Sequence, residues 1–375
     1  MPKVQLGDVA RERKETCKGS KAGYPIVGLE HLVPEEITLT AWNEGGENTF
    51  SKLFHKGDIL FGRRRAYLKK AAVAPFDGIC SGDITVIEAN AEKIFPALLP
   101  FIIQNDDLFD FAVGKSAGSL SPRVKWEHLK NYEFQLPDME KQRELAELLW
   151  AMDATKKAYK KLITATDELV KSQFLEQFGD PRFNPKGYPV QSLSEVASYW
   201  NGLTYKPEDV SDFGTIVLRS SNIQDGKLAF DDVVRVTCDI RDRAYVEEND
   251  ILMCSRNGSA DLVGKVALID HLDEPMAFGA FMMIIRSTYY DYLLQYFNTH
   301  AFREQINTGT ATINQITNKM LDQVRLPIPQ MAEIKKFAAF VQQSDKSKNE
   351  VEQALLELTA TTKKIIKENV GKMEE

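Results

Sequence analysis

Between Lys56 and Ala74 the chain carries six cations, Lys56, Arg63, Arg64, Arg65, Lys69 and Lys70, against one acid, Asp58. Five of the cations stand in FGRRRAYLKK, which reads as a polar turn between two short apolar runs, so several should project together. An arginine can fork onto the major-groove edge of guanine, while a lysine mainly supplies phosphate contacts. The plainer alternative for such a run is a solvated loop.

The matching place in the second half of the chain is MCSRNGSADLVGK, with Arg256, Asn257, Ser259 and Lys265. It has fewer charges and more amide and hydroxyl groups. Arg219, Ser220, Ser221 and Asn222 make another small polar cluster after an apolar run. Two further polar turns are GKSAGSLSPRVK, with Lys115, Arg123 and Lys125, and NTGTATINQITNK, with Asn314 and Gln315. Asn314 and Gln315 are side chains that can pair with both edge groups of adenine. Taken singly, each of these stretches is also an ordinary turn.

Signatures of catalysis are missing. GKSAG at Gly114 lacks the upstream glycine of a phosphate-binding loop, and NPKGYP lacks the second adjacent proline of an amino-methyltransferase motif. No HExxH, GxSxG or paired-carboxylate pattern stands out. Cys17, Cys80, Cys238 and Cys254 are scattered without a CxxC pair, and the five histidines are isolated, so neither a disulfide framework nor a metal site is expected. This cysteine usage, together with an N-terminus without an apolar core and no run long enough to span a membrane, points to a cytoplasmic protein. The formal charge of −7 argues against a uniformly basic nucleic-acid binder, so any such role must rest on local patches.

The elements that would carry these tips occur twice. LGDVA at Leu6 returns as LSEVA at Leu193, KGDIL at Lys56 as ENDIL at Glu248, and QLPDMEKQ at Gln135 as LPIPQMAE at Leu326. Asp58 and Asp250, Pro137 and Pro329, and Met139 and Met331 all stand 192 positions apart. A period this long means two copies of a domain-sized unit, not a solenoid. Each copy opens with a mixed α/β head: strand, polar loop, strand in ILFGRRRAYLKKAAVAPF and ILMCSRNGSADLVGKVALI, then strands in GDITVIEA and GAFMMIIRS, then short helices.

Each head is followed by a long helix. No Gly or Pro occurs from Met139 to Phe178, Asp138 is placed to cap the start, and Gly179-Asp180-Pro181 ends it. Leu145, Leu148, Met152, Thr155, Tyr159, Leu162, Thr166 and Leu169 alternate steps of three and four, as do Ile334, Phe337, Val341, Ser344, Lys348, Val351, Leu355, Leu358, Thr362 and Ile365. That period makes a narrow seam facing one partner helix. A helix of about 40 residues is about 60 Å long, more than a head of this size can cover, so the other long helix is the expected partner. The expected layout is α+β: head 1–137, helix 138–179, linker 180–189, head 190–329 and helix 330–372, the helices an antiparallel coiled coil and the copies related by a pseudo-twofold axis.

The repeated LxxVA starts, the GDIL and NDIL strands, the P-x-M necks and the FLEQFGDPRFNPKGYP bridge together resemble the DNA-specificity subunit of type I restriction-modification systems, from Val4 to about Lys372. The second neck departs from the family pattern, with Met331-Ala332-Glu333-Ile334 where a Glu-Gln pair is usual; the first has Glu140-Lys141-Gln142. The resemblance implies two target recognition domains, each reading half of a split DNA site, spaced by paired helices that also bind the partner subunits. It implies no chemistry on this chain. S-adenosylmethionine would be used by two methyltransferase subunits, and ATP and Mg by two motor-nuclease subunits. The other readings are a stand-alone DNA methyltransferase or nuclease and a coiled-coil scaffold with no DNA role.

Overall fold

The computed structural model describes residues 2–45, 48–118, 120–306 and 315–371. It divides into two compact units, residues 1–163 with 350–375 and residues 164–349. The unit boundaries therefore fall inside the two long helices, not at their ends.

In the first unit, strand Lys3–Gln5 pairs antiparallel with Glu133–Gln135, so the head is closed where it begins. The short helix Leu6–Val9 follows, and the Asp8 carboxylate accepts from the Gln5 N–H at 2.8 Å to cap it. Strands Ala10–Glu12, Ile84–Ala89, Ile59–Gly62 and Ala71–Val73 form an antiparallel sheet in that order. A second sheet runs Asn43–Glu44, Pro25–Val27, Gly78–Cys80, Lys52–Phe54, with its central pair parallel.

The second unit repeats this plan. Strand Val190–Ser192 pairs with Arg325–Pro327, and Glu195 caps the helix Leu193–Val196 through the Ser192 N–H at 2.6 Å. Its sheets run Ser198–Asn201, Met282–Arg286, Ile251–Cys254, Val266–Leu268 and Val210–Ser211, Arg235–Val236, Thr215–Leu218, Met276–Phe278, again with a parallel pair in the second sheet. The LxxVA echo is thus a capped helical turn leading into an edge strand. The carboxylate at its third position has a fixed structural duty.

The GDIL and NDIL echoes have an equally concrete cause. Gly57 and Asn249 take φ of 92° and 71°, a left-handed conformation that glycine and asparagine tolerate best. The following aspartate closes the turn on itself: Asp58 accepts from the His55 N–H and Asp250 from the Glu247 N–H, both at 2.7 Å. Both aspartates are buried, and each also holds an arginine. Arg13 donates to Asp58 through Nε at 2.7 Å, and Arg286 donates to Asp250 through Nε and Nη2 at 2.7 and 2.8 Å. The arginines come from different strands. Sheet register places Trp200 where the first copy has Arg13, and Arg286 where it has Glu88. The cation has changed strands while the buried carboxylate stayed, and Trp200 now lies under the Arg286 guanidinium at 5.1 Å.

The two long helices span Met139–Phe178 and Met331–Val370. Asp138 accepts from the Lys141 N–H at 2.9 Å and so caps the first. Gln142 binds it to its head: the side chain accepts from the Phe95 N–H and donates to the Pro137 carbonyl, both at 2.8 Å. Position 334, which lies 192 residues on, is Ile334, and it is buried in the apolar core of the second unit. The departure in the second neck is therefore an exchange of a hydrogen-bonded anchor for a packed one.

Within each unit, stretches of the two helices pack antiparallel. In the first, Leu145, Leu149 and Met152 share a core with Ile366 and Val370. In the second, Val170, Phe174 and Phe178 share one with Ile334 and Phe337, and Phe178 and Phe337 lie 5.3 Å apart. On the second helix Val341, Val351, Leu355, Leu358 and Ile365 lie half-buried along the same face. On the first helix the expected seam needs correcting. Tyr159 is half-buried, but Leu148, Leu162 and Leu169 are 49%, 49% and 52% exposed. Leu148-Leu149 offers two frames one residue apart. The head decides between them, because Trp150 donates to the Ala97 carbonyl at 2.9 Å and turns Leu149 inward.

A buried charge lies between the two helices within the second unit. Lys348, 7% exposed, donates to Asp167 at 2.6 Å, and Asp167 remains 48% exposed. Losing the carboxylate strands a buried ammonium, while losing the ammonium leaves a wet carboxylate. Asp167→Ala should therefore destabilise the helix pair by about 1–2 kcal/mol, reduced by the exposure of the pair, and Lys348→Met by less than about 1 kcal/mol. Urea unfolding of the full chain followed by helix circular dichroism measures both.

Candidate nucleic-acid interface

The Arg-rich loop of the first head leaves strand Ile59–Gly62 and re-enters at Ala71. A 3₁₀ turn, Ala66–Leu68, fills its middle, and Arg65 and Lys69 on either side take φ of 54° and 51°. The loop is tied by its backbone to the second basic turn. The Arg65 N–H donates to the Pro122 carbonyl at 2.8 Å, the Val124 N–H to the Arg63 carbonyl at 3.0 Å, and Arg64 and Arg123 form a β-bridge. A third strand-entry turn joins them, since the Arg63 N–H donates to the Asp83 carbonyl at 3.0 Å.

Asp83 is the centre of this cluster. Arg123 donates to it through Nε at 2.7 Å and Nη2 at 3.3 Å, and Arg64 Nη1 lies 3.5 Å away while its Nη2 donates to Ser121 at 3.0 Å. The Arg123 hydrogen bond holds the Asp83 carboxyl below the usual carboxylate range against the opposing effect of burial, and Arg64 and Arg63 add to the lowering. The acid is thus ionised at neutral pH and fixes two guanidinium groups. Arg65, Lys115 and Lys125 are exposed, with Lys115 Nζ over the Phe111 ring at 5.7 Å.

Lys69 and Lys70 do not join the others. Lys69 is paired with Asp106, and Lys70 donates to the Leu29 carbonyl at 2.9 Å. Both turn toward the head because the loop re-enters the sheet at Ala71, so they are corrected from tip residues to loop anchors.

In the second head the same frame recurs. Arg256 and Gln315 form the β-bridge that Arg64 and Arg123 form in the first, at an offset of 192 residues for both partners. The Ile316 N–H donates to the Ser255 carbonyl at 2.7 Å, repeating the Val124 contact, and the Ser255 N–H donates to the Phe281 carbonyl at 2.9 Å, repeating the Asp83 contact. The side chains on the frame differ. Phe281 stands where Asp83 stood, 59% exposed, with the Arg256 guanidinium 5.2 Å above its ring. Gln315 stands where Arg123 stood and is exposed.

The remaining sequence-predicted residues divide. Asn257 pins the loop, donating to Ser220 Oγ at 3.0 Å and accepting from the Ser259 N–H at 3.0 Å. Arg219 is paired with Asp232 at 2.9 Å, and Lys265 is half-buried at the start of its strand. Asn222 must be withdrawn from the interface. It is fully buried, accepts from the Arg219 N–H and donates to the Ala229 and Asp232 carbonyls, closing a turn from inside. Asn314 lies outside the described residues. Asp83, Ser121 and Phe281 were missed: Asp83 opens the GDITVIEA strand, well outside the basic run, and Phe281 abuts the buried MMII strand without a break in its apolar pattern.

Among the described residues, no group of three or more His, Cys, Asp and Glu could hold a metal ion, and no helix is long and apolar enough to cross a membrane. The cysteines are free thiols; burial pushes Cys80 up to about 12 and raises Cys254, so both act as packing groups.

A two-headed α+β chain with matched loop frames and two long helices is the class of protein that this geometry defines. The family model for the type I restriction modification DNA specificity domain matches residues 2–165 and again 185–359, and the chain belongs to that family. Over 183 residues it is 29% identical to the specificity subunit of the type I restriction enzyme EcoKI of Escherichia coli, an alignment covering 45% of this chain and 39% of that one. The StySPI specificity subunit of Salmonella potsdam aligns with the same identity and coverage. The chain thus spans about two fifths of the length of these curated relatives. Among solved structures, one from work on the assembly and conformational transition of a type I R-M system matches with a TM-score of 0.60 at 20% identity, covering 98% of this chain and 97% of that one. The S subunit of a type I restriction-modification system from M. genitalium matches at 0.59 and 13% identity, covering 100% and 96%. These two likenesses show the fold.

Proposed function

We propose that this chain is the sequence-reading subunit of a type I restriction-modification complex. Each head reads one half of a bipartite DNA site, and the paired helices set the interval between the halves. The observation that carries this reading is the loop frame built twice at a 192-residue offset, Arg64–Arg123 and Arg256–Gln315, with different side chains on it. A scaffold has no reason to keep a solvent-facing frame while changing its tips. Reading two different short sequences requires that combination, because base contacts specify and phosphate contacts position.

In this reading the chain itself binds no cofactor and performs no chemistry. Two methyltransferase subunits using S-adenosylmethionine would methylate the bound site, extruding an adenine from each half. Two ATP- and Mg-dependent motor-nuclease subunits would cut unmodified DNA, all in the cytoplasm of the host cell. The overall charge of −7 is compatible with DNA binding because the cations gather at the loop frame.

Head exchange tests this directly. Replacing residues 6–136 with the head of another family member should change one half of the methylated motif and leave the other half and the gap intact. Single-molecule methylation sequencing of the host genome reads both halves at once. A change in both halves, or no sequence-dependent methylation that follows the chain, contradicts the reading.

A further inference from the structure

We propose that positions 123 and 315 select a base in each half-site, Arg123 reading guanine and Gln315 reading adenine; this rests on the DNA-reading function above. Arg123 meets Asp83 side-on, through Nε at 2.7 Å and Nη2 at 3.3 Å. A guanidinium held by that edge keeps its other edge, with one hydrogen on each Nη, as a rigid pair of parallel donors. Guanine offers the matching pair of acceptors, N7 and O6, in the major groove. The carboxylate removes the rotamer freedom that an unbraced arginine would lose on binding, and it repels any base that would present an acceptor to Asp83 itself. The Arg123 side chain remains 41% exposed, so it is both fixed and reachable.

Arg64 has the opposite character. One of its Nη groups faces Asp83 at 3.5 Å and the other donates to Ser121, so it serves as a second brace on the acid. The two arginines therefore divide the work: Arg64 and Asp83 form the mount, and Arg123 is the reader.

The second head changes both parts of this device. With Phe281 in the place of Asp83 there is no carboxylate to brace a reader, and Arg256 instead lies over the ring. With Gln315 in the place of Arg123, the exposed group is an amide with one donor and one acceptor, which complements N6 and N7 of adenine. The brace and the reader differ together between the heads, which is what a selected pair would show. Gln315→Arg alone would supply an unbraced guanidinium, whereas Gln315→Arg with Phe281→Asp would rebuild the first head's device on the second.

The experiment uses the full chain assembled with its methyltransferase subunits. Methylation sequencing first gives the wild-type motif, and competition binding then compares duplexes that differ by one base pair at each specified position. At one position of the first half, guanine should be preferred by about 5- to 150-fold, the range of one good bidentate pair. Arg123→Gln should move that preference to adenine, and Arg123→Lys should flatten it to under about three-fold by weakening binding to the guanine duplex, while the salt dependence is kept. All other positions should be unchanged in both. The Gln315→Arg, Phe281→Asp pair should bring guanine into the second half at one position. Backbone bridges hold both loops, and matching thermal unfolding confirms that the variants are folded. Guanine preference retained in Arg123→Gln and Arg123→Lys, or lost equally at positions in both halves, overturns the assignment while leaving the DNA-reading function standing. No sequence preference in the wild-type complex overturns both.

Discussion

Asp250→Ala should destabilise the second head by about 2–3 kcal/mol, below the full range for breaking a buried ion pair because the Arg286 side chain is 36% exposed and keeps Glu247 as a partner. Its carboxylate, 1% exposed, receives two hydrogen bonds from Arg286 and one from the Glu247 N–H. Removing it strips the cap from the turn that sets Asn249 at positive φ, and it leaves the Arg286 guanidinium over Trp200 with Glu247 as its remaining carboxylate. Asp250→Asn keeps an acceptor for the turn and should lose about half as much. Asp58→Ala should lose somewhat less than Asp250→Ala, because Arg13 keeps two carboxylates, Glu15 at 2.6 Å and Glu88 at 2.9 Å, where Arg286 keeps one, Glu247 at 2.5 Å. Native-state hydrogen exchange resolves each head separately, which matters because a chain of two units need not unfold in one step. Arg286→Ala combined with Asp250→Ala should lose less than the two single changes added together, since the pair is one interaction. A loss under about 1 kcal/mol for Asp250→Ala would mean that the repeated aspartate is not what holds the turn and strand together.

This contrast explains why two copies of one unit can diverge so far. Positions that close turns, Asp58 and Asp250 or Asp8 and Glu195, keep their chemistry because the backbone conformation depends on them. Positions that only need a counter-charge can exchange strands, as Arg13 and Arg286 do. Positions on the loop frame carry no such duty to the fold, so Asp83 and Phe281, or Arg123 and Gln315, are free to differ.

Much of this was legible in the chain before its fold. The echoes at 192 residues marked the duplication, and the strand–loop–strand reading of residues 59–73 and 251–268 agrees with the sheets. Turn chemistry was legible wherever Gly or Asp had a local reason to be present. The exposed face of the first helix was not, since Leu148 and Leu149 fit a heptad equally well and only contact with the head distinguishes them. The tip cluster was legible as charge and not as geometry. Lys69, Lys70 and Asn222 look like interface residues in a line of sequence, yet they bind Asp106, the Leu29 carbonyl and a buried turn. Asp83 and Phe281 reach the cluster through a neighbouring strand, a relation that no local pattern records.

In the function proposed for this chain, the helix pair measures the distance between two half-sites. Inserting four residues into each long helix at matched levels lengthens it by about 6 Å, which at about 3.4 Å per base pair is a step of about two base pairs, or about one if the rod lies tilted to the duplex. Such a change leaves both heads untouched, so the recognised halves should stay the same while the gap between them grows. The decisive measurement is methylation sequencing of a strain carrying the lengthened chain as its only specificity subunit. The two original half-sites should appear separated by a gap longer by one or two base pairs. Undiminished methylation at the original gap would contradict the measuring role.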